Sequence, residues 1–267
     1  MSALCRPSRL QARLLTRCAA LLLSLPSAVA LADPWQFEAG AGVISQQQVW
    51  KKMPAVTSAI PYFIASNGAW RLGFEQGNLV SYSFVQDENF RLYAGAGIRD
   101  NGYDADTSLS STLSDDPVFN GYQAPDTEIT GSIGMRWYWF SVQLAQQLNE
   151  DRNAQVADLA LELPLYQHSS GFRLMAVATA SWMNEDYTQR IYGVAPGNQN
   201  LSVGRPVFQP EAEVNYRLDL RVQYPLSAQT VLLGSAGVTQ LADNLQQSPL
   251  VDEKRSIDAM LLLVYRF

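Results

Sequence analysis

The stretch "LLLVYRF", residues Leu261–Phe267, decides the predicted fold. Read backwards in steps of two as far as residue 257, one face is wholly apolar and consists of Phe267, Tyr265, Leu263, Leu261, Ala259 and Ile257. The opposite face is charged at both ends and consists of Arg266, Val264, Leu262, Met260 and Asp258. This alternation predicts a strand with lipid on one side and a side-chain-filled lumen on the other. The last strand of a soluble β-sandwich would also alternate, so the rest of the chain has to distinguish the two.

Residues 1–32 are predicted to be a secretory signal peptide. Four arginines precede the apolar run "AALLLSLPSAVALA", which ends in a small-residue cleavage pattern. We expect cleavage after Ala32, and Ala28 with Ala30 offers a second site. The run is too short for a membrane anchor, and Pro26 interrupts it.

The composition after residue 32 excludes several classes of protein. Both cysteines, Cys5 and Cys18, would leave with the signal peptide, so no disulfide is expected. The remaining 15 basic and 25 acidic residues give a net charge of −10, which argues against nucleic acid as a partner. No stretch has the 18 or more apolar residues of a helical membrane span. A membrane-embedded form would therefore be a closed barrel, because its strands satisfy every backbone group without water.

Segments of about ten residues with the same alternation recur along the chain. They are Trp35–Val43, Asn89–Ile98, Glu128–Trp137, Phe140–Leu148, Gln155–Leu165, Gly171–Trp182, Glu213–Tyr224 and Thr230–Leu241. The connections mostly alternate between short turns and long polar loops, while Pro61 and three glycines blur the region Ile60–Phe84. The prediction is an all-β fold, a transmembrane antiparallel β-barrel of about twelve strands formed by residues 33–267, with ten or fourteen strands as alternatives.

Five motifs occur in a fixed order along the chain. They are "GAG" in the first strand, "IPYF" at Ile60–Phe63, "AGAGIRD" at Ala94–Asp100, "YTQRIYGV" at Tyr187–Val194 and "QSPLV" at Gln247–Val251. This order resembles the MltA-interacting protein (MipA/OmpV) family of Gram-negative outer membranes. The first long loop departs from the family pattern "P-x-Y-x-G" and reads "SQQQVWKKMP". The resemblance implies a non-enzymatic protein of the cell outer membrane. For the family's name-giving member, it implies a scaffold that links a murein transglycosylase to a penicillin-binding protein.

His168 is the only histidine in the chain. With Ser170 it forms a pair that resembles the dyad of outer-membrane lipid A deacylases, in which the imidazole deprotonates the serine. The predicted topology puts the pair in a periplasmic turn, so polar turn chemistry is the preferred interpretation. Calcium binding at Asp100–Asp106 is considered less favoured, because the segment lacks the terminal glutamate of an EF-hand. No catalytic, cofactor-binding or metal-binding residue is predicted.

Charged residues are predicted on one face of a single strand. Arg217, Asp219 and Arg221 alternate with apolar residues and are expected to face a polar lumen. Glu211 and Glu213 could form an acid/base pair, but the nearby Arg217 favours a charge network in the lumen instead. The glycines within or beside strands are expected to allow bends and close backbone approach. They are Gly73, Gly77, Gly95, Gly97, Gly131 and Gly134.

Three functions follow from these observations. The preferred one is the non-enzymatic scaffold, with outer-membrane lipid and, through the C-terminal strand, the barrel assembly machinery as further partners. The alternative is a channel for small solutes, which the charged face favours. The inward residues Val264, Leu262 and Met260 oppose it, because they predict a narrow or filled interior. The third is a lipid esterase that uses His168 and Ser170.

Overall fold

Twelve antiparallel strands close into a barrel in sequence order, with β1 paired to β12. The computed structural model describes residues 34–99, 116–149 and 153–267. The strands are β1 (Gln36–Gln47), β2 (Val56–Asn67), β3 (Trp70–Glu75), β4 (Asn78–Gln86), β5 (Phe90–Arg99), β6 (Glu128–Trp137), β7 (Phe140–Gln147), β8 (Gln155–Gln167), β9 (Arg173–Met183), β10 (Glu213–Pro225), β11 (Thr230–Gln240) and β12 (Arg255–Arg266). The predicted fold class and strand number are confirmed. The predicted signal peptide lies outside the described residues and stays a prediction.

The alternation along β12 is the one that the sequence predicts. Leu262 is 3% exposed and Val264 is fully buried, whereas Leu261 and Leu263 between and beside them are 48% and 50% exposed. Because the barrel is closed, buried residues on this strand face the lumen and exposed ones face lipid. The strand register shows which residues of the neighbouring strand face the lumen: Gly40 of β1 lies opposite the lumen-facing Val264 and therefore faces the lumen as well.

Short turns and long loops lie at opposite ends of the barrel. Two-residue turns such as Gly68–Ala69 and Tyr138–Trp139 connect strands at the end where β1 begins and β12 stops. The long connections, of which the structure describes residues 48–55, 116–127, 184–212 and 241–254, lie at the other end. Outer-membrane barrels have short periplasmic turns and longer extracellular loops. We therefore assign the end with the long loops to the outside.

A short helix, α1 (Glu185–Tyr192), forms in one of these long loops. Asn184 caps it, because the side-chain oxygen accepts a hydrogen bond from the Tyr187 amide at 3.0 Å. The Thr188 hydroxyl donates to the carbonyl of Glu211 at 2.8 Å and so ties the helix to the chain before β10. The sequence pattern predicted only a polar loop here. None of the helices in the described residues is both long and apolar enough to cross a membrane.

The hairpin of β3 and β4 belongs to the wall at its base and bends inward towards its tip. β2 pairs with β1 from Val56 to Ser66, but it pairs with β3 only over Ala65–Asn67. The register between β3 and β4 shifts between Leu72 and Glu75, where Gly73 has a φ of +121°. Only glycine adopts such a backbone readily, so Gly73 allows the hairpin to bend.

The tip of this hairpin lies inside the lumen. Tyr93, which faces the lumen from β5, donates to the side-chain oxygen of Gln76 at 3.0 Å. Gln143, which faces the lumen from β7, donates to the backbone carbonyl of Gln76 at 3.2 Å. Gly97 shares the inward face of Tyr93, and a Cβ atom there would overlap the carbonyl oxygen of Gly77. Glycine at this position therefore makes room for the hairpin tip against the inner side of β5.

Candidate functional site

One side of the lumen is an apolar surface, which we call the apolar lumen wall. Its members come from β11, β12 and β2, and they are Val231, Leu233, Met260, Leu262, Val264, Ile60 and Tyr62. The predicted inward position of Val264, Leu262 and Met260 is confirmed by this packing. Packed side chains rather than water fill this side of the barrel, which narrows the interior.

Arg217 is the centre of a charge cluster in the lumen. Its guanidinium donates to the Asp219 carboxylate at 2.9 Å and to the Asp258 carboxylate at 2.7 and 2.9 Å. It also donates to the hydroxyl of Thr239 at 3.1 Å. Gly237 leaves space for the guanidinium, because a Cβ atom there would overlap both Arg217 and Asp219. The site is thus a fixed group of paired charges rather than one free cation.

The predicted charge network exists, with one predicted and one unpredicted acidic member. Arg217 pairs with the predicted Asp219 and with Asp258, whereas Glu211 precedes β10 and Glu213 is its first residue. Asp258 was not predicted, because it reaches Arg217 across β11, from a strand about forty residues away in sequence. Short-range spacing contains no information about such a partner.

A second charge cluster lies across the lumen from the apolar lumen wall. Glu162 on β8 pairs with Arg136 at 2.6 Å, and Arg221 lies 4.0 Å from the other oxygen of the same carboxylate. On the hairpin, Glu75 pairs with Arg71 at 2.6 Å and lies 3.8 Å from Arg91. The charges of the lumen therefore largely neutralise one another.

Two cavities border these groups. One of about 250 Å³ is lined by polar side chains of β5, β7 to β10 and the hairpin tip, including Gln76, Tyr93, Gln143 and Glu162. The other, of about 310 Å³, lies between the outer ends of β1, β11 and β12 and the loop residue Trp50. Arg217 lines both cavities, so its cluster separates the middle of the lumen from the space under the loops.

The long loops pack together as a small hydrophobic core of their own. We call residues 48–55, 116–127, 184–212 and 241–254 the extracellular cap. Its core combines side chains from all four loops and includes Trp50, Val118, Ile191, Tyr192, Val194, Leu245, Leu250 and Val251. The rings of Trp50 and Tyr192 lie 5.4 Å apart between centroids. Burial raises the pKa of the Tyr192 phenol, so this ring stays neutral at the outer surface.

Buried ions fix the cap to the barrel. The carboxylate of Glu128, at the outer end of β6, lies 3.0 Å from Arg190 of α1 and 3.5 Å from Arg99 of β5. Arg190 also donates to the carbonyl of Asp126. Within the cap, Arg205 donates to the carbonyls of Val118 and Asn120 and so joins two of its loops. Multiple bonds to each guanidinium hold the loops in one arrangement over the barrel.

His168 and Ser170 lie together in the turn between β8 and β9. Nδ1 of His168 and Oγ of Ser170 are 2.9 Å apart, and the Ser170 amide donates to the same nitrogen at 3.2 Å. Both residues are exposed at the end with short turns, as the topology predicted. The imidazole stacks on Tyr166, with 6.4 Å between ring centroids. The bonds are those of a stabilised turn, and the two pockets described above do not include either residue.

Comparison with known families decides the identity of this barrel. Residues 39–267 match the family described as MltA-interacting protein MipA. The chain belongs to this family. The match covers every strand but the first few residues of β1, so the MipA assignment predicted from five motifs is confirmed.

Relatives of this MipA-family chain are named as outer-membrane proteins. YiaT of Escherichia coli K12 is 22% identical over 261 residues, which covers 95% of this chain and all of the relative. YiaT of Escherichia coli O157:H7 is 21% identical with the same coverage. The protein is accordingly a β-barrel of the cell outer membrane.

Solved barrels are similar in outline. The COG4313 outer membrane channel from Pseudomonas putida F1 has a TM-score of 0.42 and 12% identity, with 91% of this chain and 99% of that chain covered. A loop-deletion mutant of OmpT, an outer membrane protein of Vibrio cholerae, has a TM-score of 0.37 and 8% identity over 88% and 99% of the two chains.

Sequence reasoning missed three features of the MipA-family lumen and cap. The inward hairpin, the Glu162 cluster and the buried Glu128 all depend on contacts between distant segments. Only α1 had a local signal, since Asn184 before Glu185 and Asp186 is a helix-start pattern. The segment Asp100–Asp106, considered for calcium, lies outside the described residues.

Proposed function

We propose that this protein is a closed outer-membrane barrel that serves as an attachment point for murein enzymes, and not as an open pore. The observation that carries the proposal is the extracellular cap, whose core residues Val194, Leu245 and Leu250 are fully buried over the outer mouth of the barrel. A diffusion pore needs a continuous aqueous path. The cap, the inward hairpin and the apolar lumen wall all stand in such a path.

The choice of partner rests on the family. Its description names an interaction with the murein transglycosylase MltA. The surface available to such a periplasmic partner is the set of short turns. At least one is internally fixed, because the Asp87 carboxylate accepts from the amides of Asn89 and Phe90, each at 2.8 Å. Turns that keep one conformation lose little entropy on binding, which suits a scaffold.

Two measurements test the proposal together. The purified barrel, reconstituted in a planar bilayer, is expected to give no stable conductance steps. Immobilised barrel is expected to retain a murein transglycosylase from a periplasmic extract. The variant Asp87→Gly loses the hydrogen bonds that fix one periplasmic turn, and it should retain less of the enzyme if the turns form the binding surface. Steady conductance without retention of the enzyme would overturn the proposal.

A channel for small solutes is the second candidate. The specific observation in its favour is the polar cavity of about 250 Å³ beside Arg217 and Arg221. In that case the reconstituted barrel should conduct, and Asp158→Asn should change its ion selectivity by removing one charge that lines this cavity. An unchanged selectivity in a conducting barrel would place the path elsewhere and exclude this cavity.

We further propose that the protein has no esterase activity. The His168 and Ser170 pair is exposed in a turn and its hydrogen bonds stabilise that turn. A detergent-solubilised preparation should therefore not hydrolyse a fatty-acyl ester. Hydrolysis that is lost in Ser170→Ala, with Ser227→Ala in another periplasmic turn as the control, would show that the pair is catalytic.

A further inference from the structure

The cavity of about 310 Å³ lies where the barrel wall meets the extracellular cap, and we call it the outer cavity. Its volume is near the lower end of the range that small-molecule sites occupy. It is lined by the outer ends of β1, β10, β11 and β12 and by residues 48–50 and Tyr192 of the cap. Gln46 and Gln47, which belong to the lining, are exposed. The outer cavity therefore reaches the extracellular surface of the protein.

An unequal pairing of two chain segments forms the mouth of this cavity. The ladder between β1 and β12 ends at Gln47 and Ile257. Pairing resumes at Val49, whose carbonyl accepts from the amides of residues 252–253 at 2.9 and 3.1 Å. Between these points a single residue, Gln48, lies opposite three residues of the other segment. Segments of unequal length separate between two paired positions, as in a β-bulge, and the mouth of the outer cavity lies at this place.

The floor of the outer cavity is a fixed charge cluster. Among the described residues that line the cavity, only Arg217 and Asp258 are charged, and they bond to each other at 2.7 and 2.9 Å. Thr239 lies beside them and accepts from Arg217 at 3.1 Å. Asp219, which completes the cluster, is 3% exposed and does not belong to the lining. Because two carboxylates already bind this guanidinium, the floor offers little attraction to an anionic ligand.

The sides of the outer cavity combine carboxamides with aromatic rings. Gln46, Gln48 and Asn215 contribute carboxamides, each of which has two N–H donors and an acceptor oxygen. Trp50 and Tyr192 contribute ring surface, and their centroids lie 5.4 Å apart. Both rings belong to the core of the cap, so they are held in place. Such a site suits a ligand that has hydroxyl groups at its edge and C–H groups on its faces.

Asn215 is oriented before a ligand arrives. It is 7% exposed, and its side-chain oxygen accepts from the amide of Ala242 at 2.9 Å. Its side-chain nitrogen lies 3.8 Å from the sulfur of Met183, which is a weak acceptor. The Tyr192 phenol lies beside the same side chain, so the ring and the amide are positioned together. Groups that already have one orientation lose little entropy on binding, and the site is therefore preorganised.

We propose that the outer cavity binds one neutral sugar ring from the extracellular medium. Each hydroxyl of a pyranose both donates and accepts, so it matches the carboxamides and the hydroxyls of Thr239 and Ser256. The C–H faces of the ring pack against Trp50 and Tyr192. A charged sugar is disfavoured, because its charge would lose water beside a cluster that is already paired. The site is independent of the scaffold proposal, which concerns the periplasmic turns.

Ligand-observed saturation-transfer NMR on the folded barrel tests the site, since it detects weak binding. The probes are methyl α-glucopyranoside, methyl α-galactopyranoside and methyl α-mannopyranoside. The detergent is an amine oxide, because a maltoside detergent would itself carry the ligand chemistry. We expect at least one of the three pyranosides to bind. The uronate and the 2-amino analogue of that sugar, which have a net charge, should bind at least tenfold more weakly.

Three variants locate the binding. Gln46→Leu removes one exposed carboxamide and should weaken binding about fivefold, as expected for one lost hydrogen bond. Ser256→Phe places a ring in the mouth and should abolish binding. Gln167→Leu is the matched control, because Gln167 is an exposed glutamine that ends β8 at the opposite end of the barrel. Heat-modifiable gel migration shows that each variant has assembled, and Gln46→Leu decides the matter if Ser256→Phe does not assemble.

Three results would overturn the proposal. If none of the three pyranosides binds, the outer cavity is not a site for a neutral sugar. An affinity of Gln46→Leu equal to that of Gln167→Leu would place the sugar outside the outer cavity. Tighter binding of the uronate or of the 2-amino sugar would show that charge is recognised instead. Retention of the transglycosylase in any of these cases would leave the scaffold proposal intact.

Discussion

Replacing Arg217 by Met tests whether the lumen cluster holds the barrel together. The substitution keeps much of the side-chain volume but removes the charge that Asp219 and Asp258 share. The Asp219 side chain is 4% exposed and that of Asp258 is 18% exposed, so both carboxylates would remain in the lumen without their cation. The cost comes from these uncompensated charges more than from the lost contact itself.

The size of the effect follows from burial. Removing one partner of a buried ion pair costs about 3–5 kcal/mol. Because the Arg217 side chain is 31% exposed, water reaches part of the cluster and the low end applies, about 3 kcal/mol. This corresponds to an increase of about two powers of ten in the unfolding equilibrium constant, at about 1.4 kcal/mol per tenfold change.

Reversible urea unfolding in lipid vesicles measures this difference. Arg266→Met is the matched control, since its side chain is 46% exposed and that of its partner Glu38 is 27% exposed, so its loss should cost about 0–1 kcal/mol. Combining Arg217→Met with Asp219→Asn and Asp258→Asn should recover much of the stability, because no unpaired charge is left. Equal urea midpoints for Arg217→Met and Arg266→Met would refute the reasoning.

Three further predictions follow from the described contacts. Gly97→Ala should destabilise the barrel by about 1–3 kcal/mol, because its methyl group overlaps the Gly77 carbonyl. The control Gly131→Ala meets only the flexible Leu148 side chain at 3.2 Å, and an equal urea midpoint for the two would contradict the inward hairpin. The Val118 amide, and then Lys52, lower the pKa of Asp116, so its contribution is present above the unfolded pKa of about 3.9 and is lost as pH falls through the lower folded value. Below about pH 4, pepsin cleavage of the cap should therefore increase in the native chain, and it should increase less steeply in Asp116→Asn. Identical pH profiles for the two chains would argue against this. Phe267→Ala removes a ring contact with Tyr265 at 4.9 Å between centroids and should reduce the assembled, heat-modifiable fraction more than the stability of assembled molecules; normal assembly would contradict it.

The wall of the barrel was predictable because lipid and lumen impose opposite requirements on adjacent residues. Nine strands follow a period of two over about ten residues, and the short turns at Tyr138 and His168 lie where the pattern stops. The cap was not predictable to the same degree. Its core joins Trp50, Val118, Tyr192 and Leu250 from four loops, and each loop alone reads as polar.

The charge partners show a second limit of sequence reasoning. Arg217 and Asp219 lie on one strand, and their inward face could be read from the alternation. Asp258 and Glu162 join the clusters only because the barrel register brings β12 and β8 to the right height. A pairing that depends on register between distant strands has no local signature.

The region that blurred the pattern, Ile60–Phe84, is the one in which the hairpin of β3 and β4 bends inward. A strand in the wall must alternate, because each residue faces either lipid or the lumen. A hairpin whose tip folds inward is released from this requirement, and it needs instead a bend at Gly73 and, at Gly97, a glycine that makes room for the tip. The loss of alternation beside glycine therefore marks a real feature of the fold. In a barrel sequence such a segment, flanked on both sides by regular strands, predicts a hairpin whose tip turns into the lumen.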